Sequence, residues 1–205
     1  MTQMNQLARS LGVVAAAMAL ALSASSCSPT AGNPHGSPQS QKALMTPDQA
    51  RQKLLTLLDD SMSDIKPPLK YWDAWPESSE QDGGYATAAQ NRYIMTKVSK
   101  AKFGALLGLL ERSWKAKGYS IESINPHQPA MFADIPGGSS VGITIGAADN
   151  IAFQVVVGPI PDLDSHDAFG IPSPQPTMSN GDPDMIPKYD DPFWSSDQPA
   201  ATPSP

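Results

Sequence analysis

Between Arg92 and Val157 the hydrophobic pattern changes period twice, and this limits the chain more than any other feature. Arg92 to Val98 ("RYIMTKV") alternates, with Tyr93, Met95 and Lys97 on one side and Ile94, Thr96 and Val98 on the other, as a strand lying on a layer does. Ser99 then offers a helix cap, and "KAKFGALLGLLERSWKAKGY" follows. Phe103, Leu106, Leu107, Leu110 and Trp114 share one helical face, Lys102, Glu111, Lys115 and Lys117 fall elsewhere, and Gly118 marks the stop. Gly104 and Gly108, four apart, read as allowing close approach to a sheet. Three further strands are predicted at Tyr119 to Ile124, Met131 to Ile135 and Val141 to Ile145, and a fourth at Ile151 to Val157, with Gly137-Gly138 as a hairpin turn.

Upstream, Thr46, Pro47 and Gln49 form a helix-start signal, and Ala50, Leu54, Leu58, Met62 and Ile65 recur at helical spacing up to Lys66, where Pro67-Pro68 ends the run. Leu69 to Trp75 has the aromatic content of a short strand, whereas Pro76 and the polar run Glu77 to Gly84 read as a loop. The order implies an α+β fold: a two-layer sandwich with an antiparallel sheet of about four strands packed with two helices, flanked by disordered tails.

Those tails follow from composition. The chain has 205 residues and 21 prolines, most of the prolines outside 46–160. From Pro161 onward eight aspartates face Lys188 alone, so the formal net charge of −6 belongs to the C-terminal end and the rest is nearly neutral. A segment of this kind reads as a disordered, acidic, Pro-rich tail over 161–205. With no basic stripe for a phosphate backbone, nucleic acid is not an expected partner.

The N-terminus has the form of an export signal: Arg9, the apolar run Leu11 to Leu22, then small residues. Twelve helical residues rise about 18 Å, short of the roughly 30 Å hydrocarbon layer, so the run is not a spanning helix. The only cysteine follows directly, in "ASSC", and Ala24-Ser25-Ser26-Cys27 resembles the bacterial lipobox, with Ala24 where the motif usually has leucine. The resemblance implies a diacylglyceryl group on the Cys27 thiol, cleavage before it, and a mature protein on the extracytoplasmic face of the cell membrane. Acyl chains bury roughly 0.8 kcal/mol per CH2, so such an anchor is firm. Domain limits are then 1–26 signal peptide, 27–45 lipidated tether, 46–160 α+β domain and 161–205 tail. A lone cysteine has no intramolecular partner, so the core alone must hold the fold.

Candidate sites are few. Trp72 and Trp75 lie close together, and Phe193-Trp194 forms an aromatic island in the acidic tail, so these four are the candidate binding surface. No catalytic residue is assigned: histidine occurs only at 35, 127 and 166, and a Gly-X-Ser-X-Gly elbow is missing. "DLDSHD" at Asp162 to Asp167 departs from the calcium-loop pattern and reads as solvated tail, so no metal is expected. Gly137-Gly138-Ser139-Ser140 lacks the lysine and helix start of a phosphate cradle and reads as a hairpin, and no cofactor is expected.

The segments "IKPPL" (Ile65 to Leu69), "MTKVS" (Met95 to Ser99), "LLGLLERSWKAKGY" (Leu106 to Tyr119), "MFADIP" (from Met131) and "VGITI" (from Val141) resemble a group of small exported actinobacterial lipoproteins. The resemblance implies location and fold and offers no catalytic residues to carry over. Members often carry a cysteine before the first central strand and another after the last; this chain has neither. The expected function is therefore a non-catalytic binding or interaction module on a lipid anchor, with the membrane as one partner and an envelope protein or small apolar ligand as another. The alternative is a small-molecule or lipid carrier whose cavity, between helix and sheet, is lined by the apolar face of Phe103 to Trp114.

Overall fold

The computed structural model describes residues 43–125, 129–163 and 168–198, all within one compact unit. The signal, Cys27 and most of the tether lie outside the described residues, as do His35, His127 and His166.

Helix α1, Pro47–Met62, begins as its sequence dictates: Gln49 N–H donates to Thr46 Oγ1 (3.2 Å), and the Gln49 side chain accepts from Thr46 N–H (2.9 Å). It ends at Met62, four residues before the predicted stop at Lys66. The chain then forms β1, Tyr71–Asp73, β2, Glu77–Gln81, and β3, Tyr85–Ile94. Helix α2, Lys100–Ala116, is followed by β4, Ser120–Asn125, β5, Ala130–Ile135, β6, Ser139–Ile145, and β7, Ile151–Pro161.

All strand pairs are antiparallel, in the order β1-β3-β7-β6-β5-β4, with β2 also on β3. The class is the expected α+β, but the sheet has seven strands rather than about four. One of the extra strands, β2, comes from the stretch read as a loop, while β1 falls inside Leu69 to Trp75, read as a short strand. Glu77–Gln81 pairs in register with Tyr85–Ala89, and Ala74–Pro76 separates it from β1 on the same edge of β3. Polar residues suit an edge strand that turns most of its side chains to water, so hydrophobic alternation gives no warning of it. Strand β3 is likewise longer than the predicted Arg92–Val98 at its start and shorter at its end.

Both helices pack on one face. Leu54 and Leu58 of α1 and Leu106, Leu110 and Trp114 of α2 are fully buried with Ile94, Met131, Ile143 and Phe153 of the sheet. Each such side chain contributes about 1.5–3 kcal/mol of transfer free energy. Trp114 Nε1 also donates to Ser61 O (2.9 Å), tying the helices together. Gly118 ends α2 at φ +80°, in the left-handed region predicted for a helix stop. The two α2 glycines do not serve the sheet: a Cβ at Gly104 would meet nothing within 4 Å, and one at Gly108 would meet only the α2 residue Arg112. Lys102, expected on the polar side, is buried.

The largest departure from the sequence reading is the C-terminal segment. Strand β7 runs to Pro161, past the expected domain end at 160, and 168–198 follows a fixed course across the body instead of forming a disordered tail. Lys188 N–H and Tyr189 N–H both donate to Met95 O (2.8 and 2.9 Å), and Lys97 N–H donates to Tyr189 O (2.8 Å). Ser99 closes the strap: its N–H donates to Trp194 O (2.8 Å) and its Oγ to Ser196 O (2.9 Å). Composition pointed to disorder because little in the segment is apolar. Order comes from backbone groups that find partners on the body and from one buried indole.

Candidate functional site

The four aromatics singled out in the sequence do not form one open surface. Trp72 on β1 is half-buried against Tyr93 (ring centroids 4.8 Å), and its Nε1 donates to Asp184 O (2.9 Å). Trp75 is half-buried beneath the Arg51 guanidinium, 4.2 Å from the ring centre. Trp194 is only 2% exposed; its Nε1 donates to Pro67 O (2.7 Å) and its ring meets Phe193 edge-on. Phe193 stays partly exposed over Lys102 Nζ (4.2 Å). The structure thus uses the indole N–H groups of Trp72 and Trp194 to hold the strap, and Trp194 belongs to the core rather than to a binding surface. Cys27 lies outside the described residues.

The apolar face expected to line a carrier cavity is also spent internally, since Leu106, Leu110 and Trp114 are each 0% exposed and packed against the sheet. Among the described residues a larger hollow lies elsewhere. A groove of about 1000 Å3 opens at the end of the sheet, where the β2–β3 and β5–β6 turns meet the end of β7 and the incoming chain at Ala43 and Leu44.

Its walls follow from strand register. Asp134, Ser140 and Val156 stand side by side on β5, β6 and β7, with Thr87 of β3 beyond them. Glycine pairs make both rims: Gly83 and Gly84 (φ +106° and +74°), and Gly137 and Gly138 (φ +94° and +80°), conformations that side-chain-bearing residues rarely adopt. Gly84 and Gly138 belong to the lining, so backbone itself forms part of the surface. Tyr85, 37% exposed, supplies an aromatic face, and Leu44, Ile135 and Pro159 supply apolar patches.

Two polar features mark this wall. Ser139, 5% exposed, has a buried hydroxyl with no protein partner, an arrangement uncommon enough to call for a reason. Asp134 stands close to Glu122 across the β4–β5 pair, and its carboxyl pushes the Glu122 carboxyl up from its ordinary value. None of the residues lining the groove carries a positive charge.

A smaller hollow of about 170 Å3 lies beside Arg92. The guanidinium is buried and forks onto Asp73 (2.6 and 2.9 Å), reaches Asp59 (2.8 Å) and lies 3.7 Å over the Tyr71 ring. Burial opposes its charge, but the bonds to Asp73 and Asp59 outweigh that and raise its pKa. Every strong group here has a partner inside the protein, which makes the cluster a brace between α1, β1 and β3.

Among the described residues no group of three His, Cys, Asp or Glu side chains could hold a metal ion, and Asp164–Asp167 of the acidic stretch lie outside them. No helix among them is long and apolar enough to cross a membrane. Sequence reasoning noticed Gly137-Gly138-Ser139-Ser140 and read only a hairpin. The second glycine pair at 83–84, inside a supposed loop, was the other available signal. Fold and groove together define a class, a two-layer α+β domain with an open antiparallel sheet and a groove of mixed polar and apolar lining at one end. Comparison with protein-family models, curated proteins and solved structures returned no match.

Proposed function

We propose that this is a lipid-anchored cell-envelope protein whose α+β domain binds a ligand without transforming it, and that the groove beside Ala43 is the binding site. One observation carries the reading: the residues through which the tether joins the domain, Ala43 and Leu44, are themselves part of the groove wall. Fifteen residues separate Cys27 from Ala43. At full extension they reach at most about 55 Å, so an anchor at Cys27 keeps the groove within that distance of the bilayer surface. What lines it, hydroxyls, exposed backbone and one aromatic face, is the equipment of recognition.

The anchor is tested by growing cells with an alkyne-tagged palmitate and measuring the mass of the mature N-terminus. Label on the wild type, loss of label in Cys27→Ser and a mature chain beginning at a diacylglyceryl-modified Cys27 are the expected results. An unlabelled wild type cut at another position would refute the anchor.

A further inference from the structure

We infer that the ligand of this groove is a neutral, hydroxyl-rich chain molecule, an oligosaccharide, stacked on Tyr85 and hydrogen-bonded by Asp134, Ser140 and the backbone of the glycine rims. The inference deepens the reading of the groove as a binding site and rests on it.

Charge removes the first competitor. A phosphate or sulfate would meet the Asp134 carboxylate with no lysine or arginine in the lining to balance it. Apolar continuity removes the second. Leu44, Ile135, Val156, Val157 and Pro159 share the lining with Thr87, Asp134 and Ser140, so an acyl chain covering it would bury those polar groups without pairing them. An extended peptide would dock best by adding a strand to a free sheet edge. At the end of β7 beside the groove, Met45 N–H already donates to Pro159 O (3.0 Å).

What remains matches a sugar polymer. Carboxylate and hydroxyl oxygens accept hydrogen bonds from ligand hydroxyls, and the serine and threonine hydroxyls can donate in return. The Ser139 hydroxyl is a hydrogen-bonding group in the wall that the protein leaves unpartnered. The exposed Tyr85 ring offers the flat apolar face on which a pyranose C–H face rests. An open groove that brings two glycine turns and three neighbouring strands together lets a polymer pass through without entering end-on.

The test titrates the mature full chain, in the presence of phosphatidylcholine nanodiscs, against an array of neutral oligosaccharides that includes hexamers of N-acetylglucosamine and of glucose. Parallel arms use an O-sulfated hexamer, hexalysine and a photoactivatable phosphatidylcholine. Saturable binding of a neutral oligosaccharide is expected, with the sulfated form at least about tenfold weaker. Tyr85→Ala should weaken it by about tenfold, and Ser140→Trp, which fills the groove, should abolish it. Ile171→Ala, on the exposed strap, should leave binding unchanged, and circular dichroism checks that each variant is folded. Binding of the sulfated form as tightly as the neutral one overturns the inference, as does neutral binding that ignores both Tyr85→Ala and Ser140→Trp. If only hexalysine or the photolipid binds and Ser140→Trp blocks it, the oligosaccharide falls while the groove stands as a ligand site. If no probe binds, both fall, and the Cys27 anchor is judged by its own labelling test.

Discussion

Replacing Trp194 by alanine tests whether the C-terminal strap belongs to the folded unit. The indole is 2% exposed, Nε1 donates to Pro67 O at 2.7 Å, and the ring packs edge-on against Phe193 at 4.8 Å. Truncating a buried tryptophan costs about 3–5 kcal/mol, a large share of the 5–15 kcal/mol typical of a domain. At about 2–4 °C per kcal/mol for a chain of this size, the melting temperature should fall by on the order of 10 °C. Trp194→Phe keeps most of the apolar volume and drops the donor, leaving the Pro67 carbonyl short of a partner, and should cost about 1–3 kcal/mol. Urea unfolding of both variants, beside a chain ending at Pro161, measures the effect. A change below about 0.5 kcal/mol in Trp194→Ala, the level of an ordinary surface substitution, would refute the docked strap.

Three further predictions concern the sheet. Arg92→Ala leaves Asp73 and Asp59 facing each other without their shared cation and should destabilise urea unfolding by about 3 kcal/mol; Arg92→Lys should recover only part, because an ammonium cannot reproduce the fork. A Cβ on Gly142 would sit 2.6 Å from Phe132 Cδ1, so Gly142→Ala should destabilise by about 1 kcal/mol, yet become neutral or stabilising in a Phe132→Ala background. The Glu122 carboxyl has a raised pKa, so the native state holds its proton to higher pH than the unfolded chain does. Its contribution is fully present below the ordinary glutamate range and is lost as pH rises through the folded value. Glu122→Gln should therefore flatten the pH dependence of stability in that window, and a Glu122 that titrates at its ordinary value by NMR would contradict the pairing.

How much was legible varies with the physics of each segment. The capping box at Thr46, the core positions Leu106, Leu110 and Trp114 of α2 and the strand segments at β5, β6 and β7 are local signals, and the structure keeps them with extended ends: β6 begins at Ser139 and β7 runs on to Pro161. Strand β2 was illegible, because an edge strand exposing most of its side chains, as Glu77–Gln81 does, needs no apolar period. The strap was illegible for a related reason. Its order depends on carbonyls and N–H groups of Met95, Lys97 and Ser99 nearly a hundred positions away, and composition cannot report them. The groove combined both cases: each glycine pair was visible, and nothing in the sequence put them at the same end of one sheet.

The sequence by itself thus determined both helices, the strands that carry apolar residues, the α+β class, the uneven charge and the lone Cys27, since these rest on residue type and on neighbours along the chain. Only the tertiary structure decided that Trp194 is core, that Trp72 holds the strap, and that Asp134, Ser140 and Tyr85 share a groove beside Ala43. Strand register and long-range backbone partners set those relations, and they exist only once the chain has closed on itself.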